Sequence, residues 1–169
     1  MDPEAMLKGR MAEALVEEML KKAGNTVYRF GYESVIQNLV QAGEVFDRYT
    51  EVGEKLRAIP DFVVIDKNGR PAFVEVKFRW NSEIHADDVA RLEKIEKYWR
   101  AAVIFVNCIE KPFFRISEPP YLSADKLLQL KPLTSISGWN VTPELIEEYE
   151  RVAQKYFAPT LVTPSQKGK

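Results

Sequence analysis

The stretch PDFVVIDKNGRPAFVEVKFR, Pro60 to Arg79, constrains this chain more than any other part of it. Two β-rich apolar runs flank DKNGR, a group of turn-forming residues, and that arrangement reads as a β-hairpin. Side chains alternate across a strand, so residues two apart share a face. Glu75 and Lys77 therefore point one way, and Val74, Val76 and Phe78 point the other. Charged groups rarely enter a sheet unless they are paired or bind something. The strand is either an exposed edge carrying a cross-strand ion pair, or a buried strand whose charges have a function. Both runs are very apolar for an edge, which favours the second reading.

Turn chemistry leaves two hairpin registers open. A two-residue turn at Asn68-Gly69 would set Asp61 opposite Val76, on the apolar face. A three-residue loop, Lys67-Asn68-Gly69, would set Asp61 directly across from Glu75. That loop places Asp66 at the first position of a type I turn and Gly69 where a positive φ is needed. It also keeps Phe62, Val64, Ala72, Val74 and Val76 together on one apolar side, and it is preferred on that ground. Asp61, Glu75 and Lys77 then share a face.

Elsewhere, helical spacing of apolar residues predicts a helix from Arg10 to Lys22, stopped by Gly24-Asn25, followed by a strand over Thr26 to Phe30. Residues 31–59 form an insertion. Within it, Ser34 to Gly43 favours a short helix, and the run from Phe46 to Ile59 is helical or irregular. A helix is expected over His85 to Arg100, a doubly covered strand over AAVIFVN (101–107), and another strand over FFRIS (113–117). Ser123 would cap a short helix, ADKLLQL. Thr142 caps the last helix, with Pro143 at its first position and Leu145, Ile146, Tyr149, Val152 and Tyr156 as its buried face. The expectation is one domain over 1–157, with a C-terminal helical extension at 121–157 and a mobile tail at 158–169. The order of elements implies an α/β fold, a mixed sheet with helices on both faces.

Composition is that of a globular protein, 46% hydrophobic and 29% charged, and 169 residues suffice for one real core. A formal net charge of −1 excludes a generally basic coat for nucleic acid, so any such contact must be local. A single cysteine, Cys108, excludes an internal disulfide and a cysteine metal cluster; a buried, inert thiol in a reducing cytoplasm is expected. No run is apolar enough for a membrane span, and the opening residues lack a secretory core. The lone histidine, His85, has no clear partner and is read as structural.

Two close carboxylates repel and share protons unless a cation lies between them. Hard oxygen donors suit Mg²⁺ or Mn²⁺, and Mg²⁺ takes only one or two carboxylates with waters and phosphate oxygens. A lysine beside such a pair can hold a water or stabilise charge on a phosphate under attack. No serine or cysteine nucleophile arrangement accompanies them.

Pro60-Asp61, a spacer, and then Glu75-Val76-Lys77 resembles the signature of the PD-(D/E)xK nuclease superfamily, which includes restriction endonucleases, archaeal Holliday-junction resolvases and recombination nucleases. The resemblance spans roughly Gly9 to Asn107. It implies a restriction-endonuclease-like αβββαβ core and hydrolysis of phosphodiester bonds in DNA, with RNA as an alternative substrate. It also implies Asp61, Glu75 and the Val76 carbonyl as ligands of Mg²⁺ (Mn²⁺ substituting), with Lys77 as the catalytic cation. Many members carry a glutamate in the first helix after a glycine or basic residue. Gly9-Arg10 followed by Glu13 is similar, so Glu13 is the expected supporting ligand, whereas Glu17 and Glu18 should point further out. Arg10, Arg79 and Trp80 are candidate nucleic-acid contacts, as are Tyr28, Arg29, Tyr32 and Arg48. Arg91, Lys94, Lys97 and Arg100 read instead as a salt-bridged outer helix face. A homodimer would let a domain this small cut both strands. A non-catalytic nucleic-acid-binding module on the same fold is the competing reading.

Overall fold

The computed structural model describes residues 3–31, 46–79 and 86–157. The helix expected over 34–43, Tyr32, Trp80, His85 and the tail 158–169 lie outside the described residues. Helix α1 spans Pro3–Lys22 and buries Ala12, Val16, Met19 and Leu20. It starts a full two turns before the apolar periodicity becomes clear, with Pro3 at its first turn, where a missing N–H costs nothing. It ends in a Schellman arrangement. Asn25 N–H donates to the Leu20 carbonyl and Gly24 N–H to the Lys21 carbonyl, with Gly24 at φ 95°.

After α1 come β1 (Thr26–Arg29), α2 (Glu51–Arg57), β2 (Phe62–Ile65), β3 (Pro71–Phe78), α3 (Ala86–Trp99) and β4 (Ala102–Val106). Apart from the added α2, this is the expected αβββαβ order. The chain finishes with β5 (Phe114–Ser117), β6 (Lys131–Pro132), a 3₁₀ turn (Leu133–Ser135) and α4 (Pro143–Phe157). The six strands lie in the order β1-β2-β3-β4-β5-β6, with β3 and β4 parallel and every other pair antiparallel. Crossover through α3 is what permits the one parallel pair.

The hairpin takes the three-residue loop. Gly69 N–H donates to the Asp66 carbonyl at 2.9 Å and Asp66 N–H to the Arg70 carbonyl at 3.0 Å, with Gly69 at φ 75°. The Asp66 side chain seals the turn by accepting from Asn68 N–H and Arg70 N–H. Phe62 consequently pairs with Val74 and Val64 with Ala72. The face bearing Phe62, Val64, Val74, Val76, Ile104 and Ile116 packs against α1 and α4. The opposite face, with Val103 and Phe105, packs against Leu92 and Ile95 of α3 and against Tyr121. Helices cover both faces, as the uninterrupted run of β4 implies. Cys108 is buried, and burial pushes its thiol up to about 11.

Residues 124–130 do not form the expected helix. Leu122 bridges Leu128 in antiparallel fashion, Ser123 N–H donates to the Leu127 carbonyl, and Lys126 has φ 59°. A seven-residue window cannot meet the cost of helix nucleation alone, and pairing across a turn satisfies more of its backbone. The C-terminal α-helix is confined to Pro143–Phe157. It is tied down by Glu150, which accepts from Phe113 N–H at 2.8 Å and pairs with Lys111 at 3.0 Å. The segment 46–59, left open between helix and irregular chain, yields α2, capped where Gly53 N–H donates to Thr50 Oγ1.

The turn geometry makes a testable demand. Gly69→Ala is expected to lower the unfolding free energy by ~1–2 kcal/mol, and Gly69→Asn by less, because asparagine tolerates the left-handed region. Urea denaturation followed by circular dichroism measures both; equal values would mean the loop readily takes another form.

Candidate active site

Pairing of β2 with β3 stops at Phe62–Val74. Two positions further along that register, Val76 would face Pro60, which has no N–H to donate. The Asp61 carboxylate replaces that strand partner, its Oδ2 accepting from Val76 N–H at 2.7 Å. Both peptide groups of such a residue face the same neighbour, so the Val76 carbonyl is directed to this side as well. The Asp61 backbone is held in turn by β1, its carbonyl accepting from Phe30 N–H at 2.8 Å and Gly31 N–H at 3.2 Å.

β3 is an interior strand, flanked by β2 and β4, so the exposed-edge reading of Glu75 and Lys77 fails. Glu75 is 1% exposed. Its Oε1 accepts from Lys77 Nζ at 2.5 Å and from Arg91 Nη2 at 3.2 Å. Its Oε2 is buried and has no hydrogen-bond partner. An unsatisfied buried acceptor costs about 1–3 kcal/mol, more when charged. The fold tolerates this at the centre of its sheet.

Burial, then the charges of Glu75 and Glu13, push the Asp61 carboxyl well above the usual carboxylate range, against the opposing pull of the Val76 amide and Lys77. Burial draws the Lys77 ammonium below its ordinary value; Glu75 opposes the shift and Arg91 adds to it. Glu13 thus acts on Asp61 from α1 through its charge, and Arg29 of β1 lies 3.8 Å from it. Glu17 departs from expectation. It is only 12% exposed, because Arg29 and Lys21 pair with it at 2.6 Å and 2.7 Å. Arg29 thus ties β1 to α1 through its pairs with Glu17 and Glu13.

Arg10 lies exposed on α1. Arg79 is partly buried, donates to the Phe78 carbonyl at 2.7 Å and pairs with Asp88, so it fastens the start of α3 to the end of β3. Arg91 is the residue that sequence reasoning missed. Read as part of an outer face, it instead reaches from α3 to Glu75. Its position one residue before the buried Leu92 was the only available hint. Lys94 is paired too, but across helices, with Glu54 of α2 at 2.9 Å.

Among the described residues, no group of three or more His, Cys, Asp or Glu forms a metal cage. Asp61 and Glu75 are the two carboxylates at the centre of the site, and Glu13 acts on Asp61 through its charge. The donor set that remains still fits a hard divalent cation, which needs only one or two carboxylates. Two mutually repelling carboxylates and an orphan carboxylate oxygen are what such an ion would relieve.

No protein-family model matches the sequence, and no curated protein matches it. Among solved structures, the chain is similar to Hjc of Archaeoglobus fulgidus, a Holliday junction resolvase from an archaeal hyperthermophile. The identity is 21% and the TM-score 0.40, with 83% of this chain and 98% of that chain covered. So distant a likeness carries no function, which rests on the site itself.

A raised carboxyl pKa has a definite consequence for stability. The folded state holds a proton on Asp61 that the unfolded chain has released, so this group's contribution to stability falls as pH rises from the ordinary carboxylate range through the raised value. Asp61→Asn keeps an acceptor for Val76 N–H and removes the charge. In EDTA at pH 8 it is expected to melt higher than the wild type, with the gap closing towards pH 4. Thermal melts across that range check it; a lower melting temperature at pH 8 would contradict the electrostatic account.

Proposed function

We propose that the chain is a metal-dependent nuclease of the PD-(D/E)xK kind that hydrolyses phosphodiester bonds in DNA. The observation carrying this is Glu75, a carboxylate buried in mid-sheet with one oxygen unpartnered, facing Asp61 and bonded to Lys77. Asp61, Glu75 and the Val76 carbonyl would hold Mg²⁺, with Mn²⁺ as a substitute, and Glu13 would assist through water. Such an ion supplies Lewis-acid stabilisation of the charge that develops on the phosphate. Lys77 orients the attacking water for in-line displacement, and its depressed pKa suits it to exchange a proton with that water. Arg10 and Trp80 are the nucleic-acid contacts in this reading, while Arg79 acts by placing α3. Two copies would be required to cut both strands of a duplex. The free Cys108 suits a reducing cytoplasm.

The binding-module alternative draws support from one observation: Lys77 and Arg91 already neutralise Glu75 without an ion. Labelled DNAs and RNAs of several shapes, incubated with Mg²⁺ or Mn²⁺, separate the two. Wild-type cleavage should require the metal, and Lys77→Ala and Glu75→Ala should each lose about 100-fold or more. Wild-type protein that binds DNA but cuts nothing supports the module. Preferential cutting of RNA would replace the substrate and keep the mechanism.

A further inference from the structure

The segment 46–59 has no place in the αβββαβ core, yet its helix is firmly attached beside the site. Three contacts dock α2 on α3. Lys94 Nζ donates to Glu54 at 2.9 Å, Tyr98 hydroxyl to Glu54 at 3.1 Å, and Trp99 Nε1 to the Lys55 carbonyl at 3.1 Å. Between the two helices lies an open cavity of about 240 Å³, lined by Glu54, Arg57, Ala58, Ala90, Arg91 and Lys94. Three cations and one carboxylate face it. Lys94 and Tyr98 occupy that carboxylate, while among the described residues no acid pairs with Arg57. Arg91 is common to the cavity and to Glu75, so the two sites adjoin.

We propose that this cavity is a phosphate subsite, holding a phosphodiester one or two linkages from the one that is cut. The proposal rests on the nuclease reading for its position along the strand, but not for its binding chemistry. Arginine presents a planar fork that matches phosphate oxygens in pairs, and Arg57 and Arg91 approach from opposite walls. The volume of about 240 Å³ is ample for a phosphate and its ester oxygens. Its walls show no aromatic face for stacking. The subsite would therefore position the strand without reading its sequence. The bland account of Arg57 is a cation complementing the C-terminal end of the α2 dipole. That role would affect melting temperature and leave strand binding unchanged.

The test measures binding apart from cleavage, with the full chain in Ca²⁺ or EDTA and labelled single-stranded and duplex DNA at several salt concentrations. Arg57→Ala is expected to weaken binding several-fold, equally across sequences, and to reduce the salt slope by about 0.7–0.9, the value for one phosphate contact. Arg57→Lys should restore much of the slope. Glu54→Gln removes the one carboxylate that lines the cavity among the described residues and should tighten binding, an effect that a purely structural role for Glu54 would not produce. A neutral methylphosphonate near the cut should weaken wild-type binding and leave Arg57→Ala unaffected. An unchanged slope in Arg57→Ala, or a wild type that binds no strand, overturns the subsite. If cleavage persists alongside an unchanged slope, the nuclease reading stands without it. Arg57-dependent binding with no cleavage sinks the nuclease reading and leaves the subsite in place.

Discussion

The Asp66-sealed turn governs the rest of the molecule because it sets which side of β3 each residue occupies. Asp66 accepts two backbone N–H groups within the loop and Gly69 supplies the left-handed residue, so the three-residue loop is over-determined. A slip of one position would turn Glu75 and Lys77 towards α1 and carry Val74 and Val76 out of the core. The same register puts Pro60 opposite Val76, ends the β2 ladder there, and leaves the Val76 amide for a side chain to claim. Asp61 is in place to claim it.

Burying Glu75 in an interior strand is costly, and the surroundings show how the cost is spread. Lys77 comes from the same strand face and Arg91 from the helix above, both bonded to one oxygen, while the second oxygen is left open. Asp61 sits close enough to disfavour a second negative charge. A core built for stability alone would place apolar side chains here, since a buried ion pair seldom outperforms them. In the proposed nuclease the arrangement would be a site kept ready for a cation, with α1 adding the field of a third carboxylate, Glu13.

Some elements were legible along the chain because their causes are local. The stop at Gly24-Asn25, the hairpin loop and the doubly covered β4 all follow from neighbours within a few residues. Local reading failed where the deciding contact was not local. ADKLLQL has helical composition, but Tyr121 to Ser123 pairs with it across a turn. Glu17 lies on the side of α1 expected to face solvent, until Arg29 from β1 covers it. Arg91 and Lys94 have the spacing of a solvated helix face, yet their partners are 16 and 40 residues away in sequence.

Taken by itself, the sequence determined the order of the core elements, the hairpin register and the placing of Glu75 and Lys77 on one face of β3, with Asp61 at the hairpin's open end beside them. Those properties depend on alternation, turn stereochemistry and the separation of apolar from charged residues, all of which act over a few bonds. Only the tertiary structure decided that this face lies beneath α3, that Arg91 reaches Glu75, and that α2 closes a cationic cavity beside it. Each of these depends on how a helix docks onto a sheet or another helix. That docking is set by packing summed over the whole interface, and no short stretch of sequence records it.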